Sequence, residues 1–263
     1  MLNNITLGQY YPVDSRIHRL DPRIKLVLTL AFIVAVFLAH SWWGYLLLLG
    51  YVVLTARLST VPFRMLLRGL KSLRFILLVT FLLNLFFTPG DTVWVSFWII
   101  RITREATLQA VFYSLRLVFL VVGTSLLTLT TSPVALSDAL EVLLSPLKKI
   151  HFPAHELAMM MTIALRFIPT LLEETDKIMK AQMARGADFE SGNLLSRAKA
   201  MVPLLVPLFV SAFRRASDLA MAMESRCYHG GEGRTRLRVL KTTTQDWIAA
   251  AVTALLIALV ILI

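Results

Sequence analysis

The chain has 263 residues, 57% of them hydrophobic and only 16% charged, against about 25% charged in an ordinary soluble domain. The apolar residues are gathered into long runs, which excludes a soluble globular protein and points to a helical membrane protein. The formal net charge is +11, but the basic residues cluster between apolar runs, where they report membrane orientation rather than nucleic-acid binding, and the single cysteine, Cys227, excludes an intramolecular disulfide.

The polar stretch Met1 to Leu20 lacks the apolar core of a cleavable signal peptide. Apolar runs follow at about Ile24–Ala39, Trp42–Ala56, Leu73–Phe87, Leu108–Leu129 and Trp247–Ile263. The first three are close to the lower limit of about 17 residues for a span, so flanking Arg, Lys and Trp are expected to anchor their ends. Only His40-Ser41 separates the first two, which makes them a tight helical hairpin. After the third run, Pro89-Gly90-Asp91 reads as a turn. The stretch Val93-Trp94-Val95-Ser96-Phe97-Trp98-Ile99-Ile100 then reads as a small external hairpin or an interfacial segment. Arg116 lies inside the fourth run, where a charge is costly, so it faces the bundle or reaches for the interface.

Orientation follows from Lys and Arg. Arg16, Arg19, Arg23 and Lys25 precede the first run. Arg57, Arg64, Arg68, Lys71 and Arg74 lie between the second and third, but only Arg101 and Arg104 between the third and fourth. Fifteen fall between Thr131 and Gln245. The positive-inside rule places the N-terminus, the second loop and the long basic region in the cytoplasm and the C-terminus outside. The predicted fold is all-α, a polytopic membrane protein with about five transmembrane helices. Residues 1–130 form a four-helix membrane domain, 131–245 a cytoplasmic domain of long helices, and 246–263 a last transmembrane helix.

Within the long region, one helix is predicted from about Ser137 to before Pro146. A second runs from about Pro153 to Arg185, where Gly186 ends it. A third runs from an N-cap at Asn193 to about Tyr228, before Gly230-Gly231-Glu232-Gly233. Pro169, Pro203 and Pro207 are expected to kink or interrupt the long pair, and with Arg166 they favour helices lying under or partly in the membrane over two further spans. Met160 and Leu205 are expected to pack where the two helices meet.

The ends of these helices match. Ala184-Arg185-Gly186 and Ser225-Arg226-Cys227 each set an arginine between small residues at a helix C-terminus, 41 residues apart (185 to 226). A cation there suits the helix dipole. A planar guanidinium on a small-flanked tip is also suited to enter an acidic groove and bind carboxylates bidentately. Eight of the ten methionines lie between Met159 and Met223, which fits either core filling or an adaptable apolar binding surface. His151 and His155 flank Pro153 and do not share a helical metal-binding face. Glu173, Glu174 and Asp176, followed by Lys177 and Lys180, read as a solvated helix face. No Gly-x-x-x-x-Gly-Lys-Ser/Thr occurs, so the chain has no P-loop for ATP. No cofactor or metal is expected.

The arginine pair resembles the two Ala-Arg-Gly motifs of the transmembrane coupling (T) component of energy-coupling factor transporters. The first is intact and the second departs at both small positions. The N-terminal stretch Gly8-Gln9-Tyr10-Tyr11-Pro12-Val13-Asp14-Ser15, continued by His18-Arg19-Leu20-Asp21-Pro22-Arg23-Ile24-Lys25, is similar to that family's entry into its first span. The resemblance covers nearly the whole chain. It implies a long cytoplasmic coupling-helix hairpin and a non-catalytic subunit of a bacterial inner-membrane transporter. It implies two ABC ATPase partners, one per motif (Ala184, Arg185, Gly186; Ser225, Arg226, Cys227). It also implies a membrane-embedded substrate-binding (S) component, for vitamin or metal uptake, resting on the long helices near Met159, Met160, Met161, Leu205 and Phe209. The permease of a conventional ABC importer is the alternative, although it carries one short coupling helix rather than an extended pair. A polytopic membrane enzyme would need clustered acidic or nucleophilic residues that are not found.

Overall fold

The computed structural model describes residues 10–89, 93–97, 100–150, 152–189, 193–230 and 240–263. Gly8, Gln9, Gly90, Asp91, Trp98, Ile99, His151 and residues 231–233, named above, lie outside them. Among the described residues the helices are α1 Pro22–Leu38, α2 Trp42–Ser59, α3 Phe63–Phe87, α4 Arg104–Thr130, α5 Pro133–Leu144, α6 Ala154–Ala184, α7 Leu194–Glu224 and α8 Thr244–Leu262. A 3-10 turn, Ser145–Ile150, follows α5. Strands β1 Val93–Phe97 and β2 Ile100–Thr103 pair antiparallel, so the segment after α3 is a hairpin. Six helices, α2, α3, α4, α6, α7 and α8, are long and apolar enough to cross a membrane. At 17 residues, α1 spans about 25 Å, near the lower limit. The count therefore differs from the five spans expected. α6 and α7 qualify because their charges gather toward their C-terminal ends and leave long apolar stretches.

Two boundaries move. α3 begins ten residues before its apolar run, so Arg64, Arg68, Lys71 and Arg74 stand on helix rather than in a loop. Their spacing of three and four residues keeps them on one side of it. α5 starts at Pro133 rather than near Ser137, with proline in the first turn, where its missing N–H costs nothing. Ser132 Oγ accepts from the Ala135 amide there.

The chain divides into two compact units, residues 10–139 with 240–263 and residues 140–230. In the first, α3 packs on α4, and α1 packs on both α4 and α8. Lipid tails are as apolar as leucine, so helix association in a membrane relies on close packing and polar contacts. The buried positions accordingly include many small residues, among them Ala35, Ala39, Ala56, Ala106 and Ala110. Gly123 on α4 lets Phe32 of α1 approach closely: a Cβ there would stand 2.5 Å from its Cε1. Phe32 in turn stacks on Tyr51 of α2, with ring centroids 5.5 Å apart, and the Tyr51 hydroxyl meets Thr253 Oγ1 of α8 at 3.0 Å.

The polar contacts concentrate at one end of the bundle. Asp21 caps α1, its carboxylate accepting from the Arg23 amide at 2.9 Å and from the Arg23 guanidinium. Burial opposes ionisation of Asp21, but the Arg23 hydrogen bonds prevail and hold it below the usual carboxylate range. The Asp21 amide donates to the fully buried Asp246 of α8 at 2.8 Å. Asp246 also completes a capping box with Thr243. Lys25 Nζ donates to the Thr130 carbonyl of α4 at 2.9 Å. Upstream, His18 Nε2 lies 3.0 Å from the Tyr11 carbonyl, which can only accept, so Nε2 carries the proton and Nδ1 accepts from the Ser15 hydroxyl at 2.7 Å. Burial pushes His18 below its ordinary value. Arg116 rests over the Phe37 and Tyr113 rings, 5.5 Å from each, with Nη2 3.4 Å from the Ala39 carbonyl. It therefore faces the bundle, at the negative end of α1.

Gly123→Ala is expected to destabilise the membrane unit by about 1–3 kcal/mol through overpacking. Adding Phe32→Leu to it should recover part of the loss, because the ring that the new Cβ meets is gone. Thermal unfolding of the detergent-solubilised variants measures both effects.

Candidate functional site

α6 and α7 have 31 residues each and run uninterrupted through Pro169, Pro203 and Pro207. The expected break does not occur: a proline removes one backbone bond from a long ladder, and the helix continues on either side. Asn193 stands at the N-cap of α7 without a side-chain capping bond.

α6 ends in a Schellman motif. The Ala187 amide donates to the Gln182 carbonyl at 3.0 Å and the Gly186 amide to the Met183 carbonyl at 2.9 Å. Arg185 is thereby the capping residue, and Gly186 follows it in the left-handed region at φ +88°. α7 ends in the same pattern. The Tyr228 amide donates to the Met223 carbonyl at 3.0 Å and the Cys227 amide to the Glu224 carbonyl at 2.9 Å. Arg226 stands where Arg185 stands, and Cys227, at φ +56°, where Gly186 stands. The likeness between the two tips thus extends from sequence to backbone. Ala184 and Ser225 precede the arginines, and all six residues of the two motifs are exposed. Among the described residues no ion pair engages either arginine.

A polar link joins the helices. Glu174 of α6 accepts from the Ser211 hydroxyl and, at 2.9 Å, from Arg215 Nη2 of α7. Glu174 is therefore not part of a simple solvated face. Its partners are 37 and 41 residues away, too far for any local spacing to reveal them. Arg185 and Arg226 each lie eleven residues beyond this link (174 to 185, 215 to 226). At 1.5 Å per residue, two arms of about 16 Å carry the two guanidinium groups. At the other end of α6, His155 pairs with Glu141 of α5 at 2.9 Å.

The helices are amphipathic, and an apolar face is left uncovered. Met160 is 53% exposed, Leu205 44% and Phe209 58%; Met161 is also exposed, and Met159 half-buried. Met160 and Leu205 therefore do not fill a contact between the two helices, as their apolar character had implied. Leu204, beside Leu205, is the buried one.

Gly186 has nothing within 4 Å of an added Cβ, so its need for glycine is purely conformational. Cys227 carries a Cβ in the same conformation, at a strain of about 1–2 kcal/mol. Cys227→Gly is expected to stabilise the α7 terminus and Gly186→Ala to destabilise the α6 terminus, each by about 1 kcal/mol. Amide hydrogen exchange over the last turn of each helix checks the two signs.

The family profile described as CbiQ, cobalt transport protein, matches residues 14–237. Curated relatives share most of their length with this chain, and each is named "Energy-coupling factor transporter transmembrane protein EcfT". The Clostridium kluyveri protein is 53% identical over 263 residues, all of this chain and 97% of its own length. The Thermosediminibacter oceani protein is 56% identical over 255 residues, 97% of this chain and 96% of its own. That of Acidaminococcus fermentans is 58% identical over 240 residues, 91% of this chain and 89% of its own. With identity at this level along the whole chain, and with the profile spanning α1 to α7 and the two arginine tips, the chain belongs to the EcfT/CbiQ family of energy-coupling factor transporter transmembrane proteins.

Proposed function

We propose that the chain is the non-catalytic T component of an energy-coupling factor transporter in the bacterial inner membrane. It couples ATP hydrolysis by two partner ATPase subunits to uptake of a vitamin or metal ion held by a separate S component. The observation that carries this reading is the equivalence of the two helix tips. Each presents an exposed arginine within its terminal Schellman turn, followed by a left-handed residue, at equal reach from the Glu174–Arg215 link. A dimer of ATPases offers two equivalent grooves, and two equivalent tips suit them. Each arginine would bind groove carboxylates bidentately, and the tight turn after it lets the partner approach. When nucleotide closes or opens the grooves, the tips move with them and the long helices carry that motion. The uncovered apolar face with Met159, Met160, Met161, Leu205 and Phe209 then serves as the seat of the S component, its thioethers adapting to an apolar partner. The N-terminus and the long helices face the cytoplasm, and the C-terminus lies outside.

Arg185→Ala and Arg226→Ala should each weaken ATPase association by about 2–5 kcal/mol, the double variant more than either, with lysine rescuing only in part. Pull-down of the ATPases and substrate uptake in membranes measure this against the expression level. Normal uptake in the double variant would remove the coupling mechanism.

Met160→Glu and Phe209→Glu are expected to act differently: ATPases still co-purify while the S component is lost. If both partners remain bound, the S component sits elsewhere. For orientation, single cysteines at His40 and Lys241 in a Cys227→Ser background should label with a membrane-impermeant thiol reagent from outside and from the cytoplasm, respectively.

A further inference from the structure

The membrane unit holds a cavity of about 410 Å³ that the coupling role does not use. Four helices line it, each over one end: α1 from Lys25 to Phe32, α2 from Tyr51 to Leu58, α4 from Gly123 to Thr130 and α8 from Gln245 to Val252. Each stretch advances seven residues, so the slot is roughly 10 Å deep along the bundle. Phe32, stacked on Tyr51 and pressed against Gly123, closes its inner end. Leu28, Leu54, Leu126, Leu127 and Ile248 make its walls apolar.

One end is different. Arg16 and the buried Lys25 stand there with Gln245 and Thr130, and among the described residues no carboxylate lines the cavity, whose walls at Leu54, Ile248 and Val252 are exposed along the bundle. Arg16 is exposed and has no hydrogen bond or ion pair among the described residues. Lys25 Nζ donates to the His18 carbonyl at 3.2 Å and the Thr130 carbonyl at 2.9 Å, which leaves one N–H. The neighbouring acids are already engaged, Asp21 by Arg23 and Asp246 by the amides of Asp21 and Thr243.

We propose that this slot holds an acyl chain of an anionic phospholipid, with its phosphate bound at that end by Arg16 and Lys25. Apolar walls open along the bundle and a cationic end at the helix termini, where headgroups lie, match the two chemical halves of such a lipid. The lipid would fill a gap between α1, α2, α4 and α8 that side chains leave open, and would join the same helices that Lys25 and Asp246 join.

The test is native mass spectrometry of the full chain in detergent, titrated with phosphatidylglycerol and with phosphatidylcholine of identical acyl chains. One phosphatidylglycerol should bind about tenfold more tightly than phosphatidylcholine. Arg16→Ala should weaken that preference severalfold while phosphatidylcholine binding stays the same. Ala249→Phe, which places a ring in the slot, should remove the bound lipid altogether. A photo-crosslinking residue at position 249 in membranes should capture phospholipid. Equal binding of the two lipids, retention of the lipid in Ala249→Phe, or capture of a protein instead of lipid at position 249 would each overturn the proposal.

Discussion

The carboxylate of Asp246 accepts from the Asp21 amide, the Thr243 amide and the Thr243 hydroxyl, and is fully buried while doing so. It joins the start of the first membrane helix to the start of the last across 225 residues of chain. Lys25, one turn into α1, extends the junction to the end of α4 through the Thr130 carbonyl. Helix ends expose amides and carbonyls with no partner inside their own helix, and water cannot serve them in a buried site. The N-terminal stretch from Tyr11 to Lys25 meets that requirement for α1, through Asp21, and for α4, through the Tyr11 amide and Lys25. Because burial of leucine against leucine gains little where lipid is the alternative, these polar contacts and the Gly123–Phe32 approach set which helices are neighbours.

The second unit is governed by a different balance. α6 and α7 are long, amphipathic and joined through Glu174, Ser211 and Arg215, with much of their apolar surface uncovered. The rigid parts are the helices themselves. Each ends in a Schellman turn, which sets the direction in which the chain leaves the helix axis around the arginine. The departure of the second motif from Ala-Arg-Gly becomes intelligible at this level. Ser225 stays in right-handed helical geometry, and Cys227 adopts the left-handed conformation that Gly186 adopts, so the backbone form is retained at some strain.

The apolar runs, the turn at His40-Ser41 and the two arginine tips were legible because each depends on residues close together in sequence. A run of leucine and valine needs no tertiary partner to be recognised, nor does a glycine after a periodic stretch. The start of α3 was missed because Arg64, Arg68, Lys71 and Arg74 break a hydropathy run without breaking a helix: their spacing is helical, and long cationic side chains favour that conformation. The prolines of α6 and α7 interrupt neither helix, since a long ladder continues on either side of one lost backbone bond.

By itself, the order of amino acids determined a helical membrane protein with two matching arginine-capped tips, because periodicity, charge and end signals act within a few residues. It did not determine which helix ends meet at Asp246, that Glu174 binds Arg215 rather than water, or that Met160 and Leu205 stand exposed. Those outcomes depend on pairs 37 to 225 residues apart and on which side of each helix another happens to cover. Only the tertiary structure brings such groups within hydrogen-bonding range, where a few tenths of an ångström decide whether a contact forms.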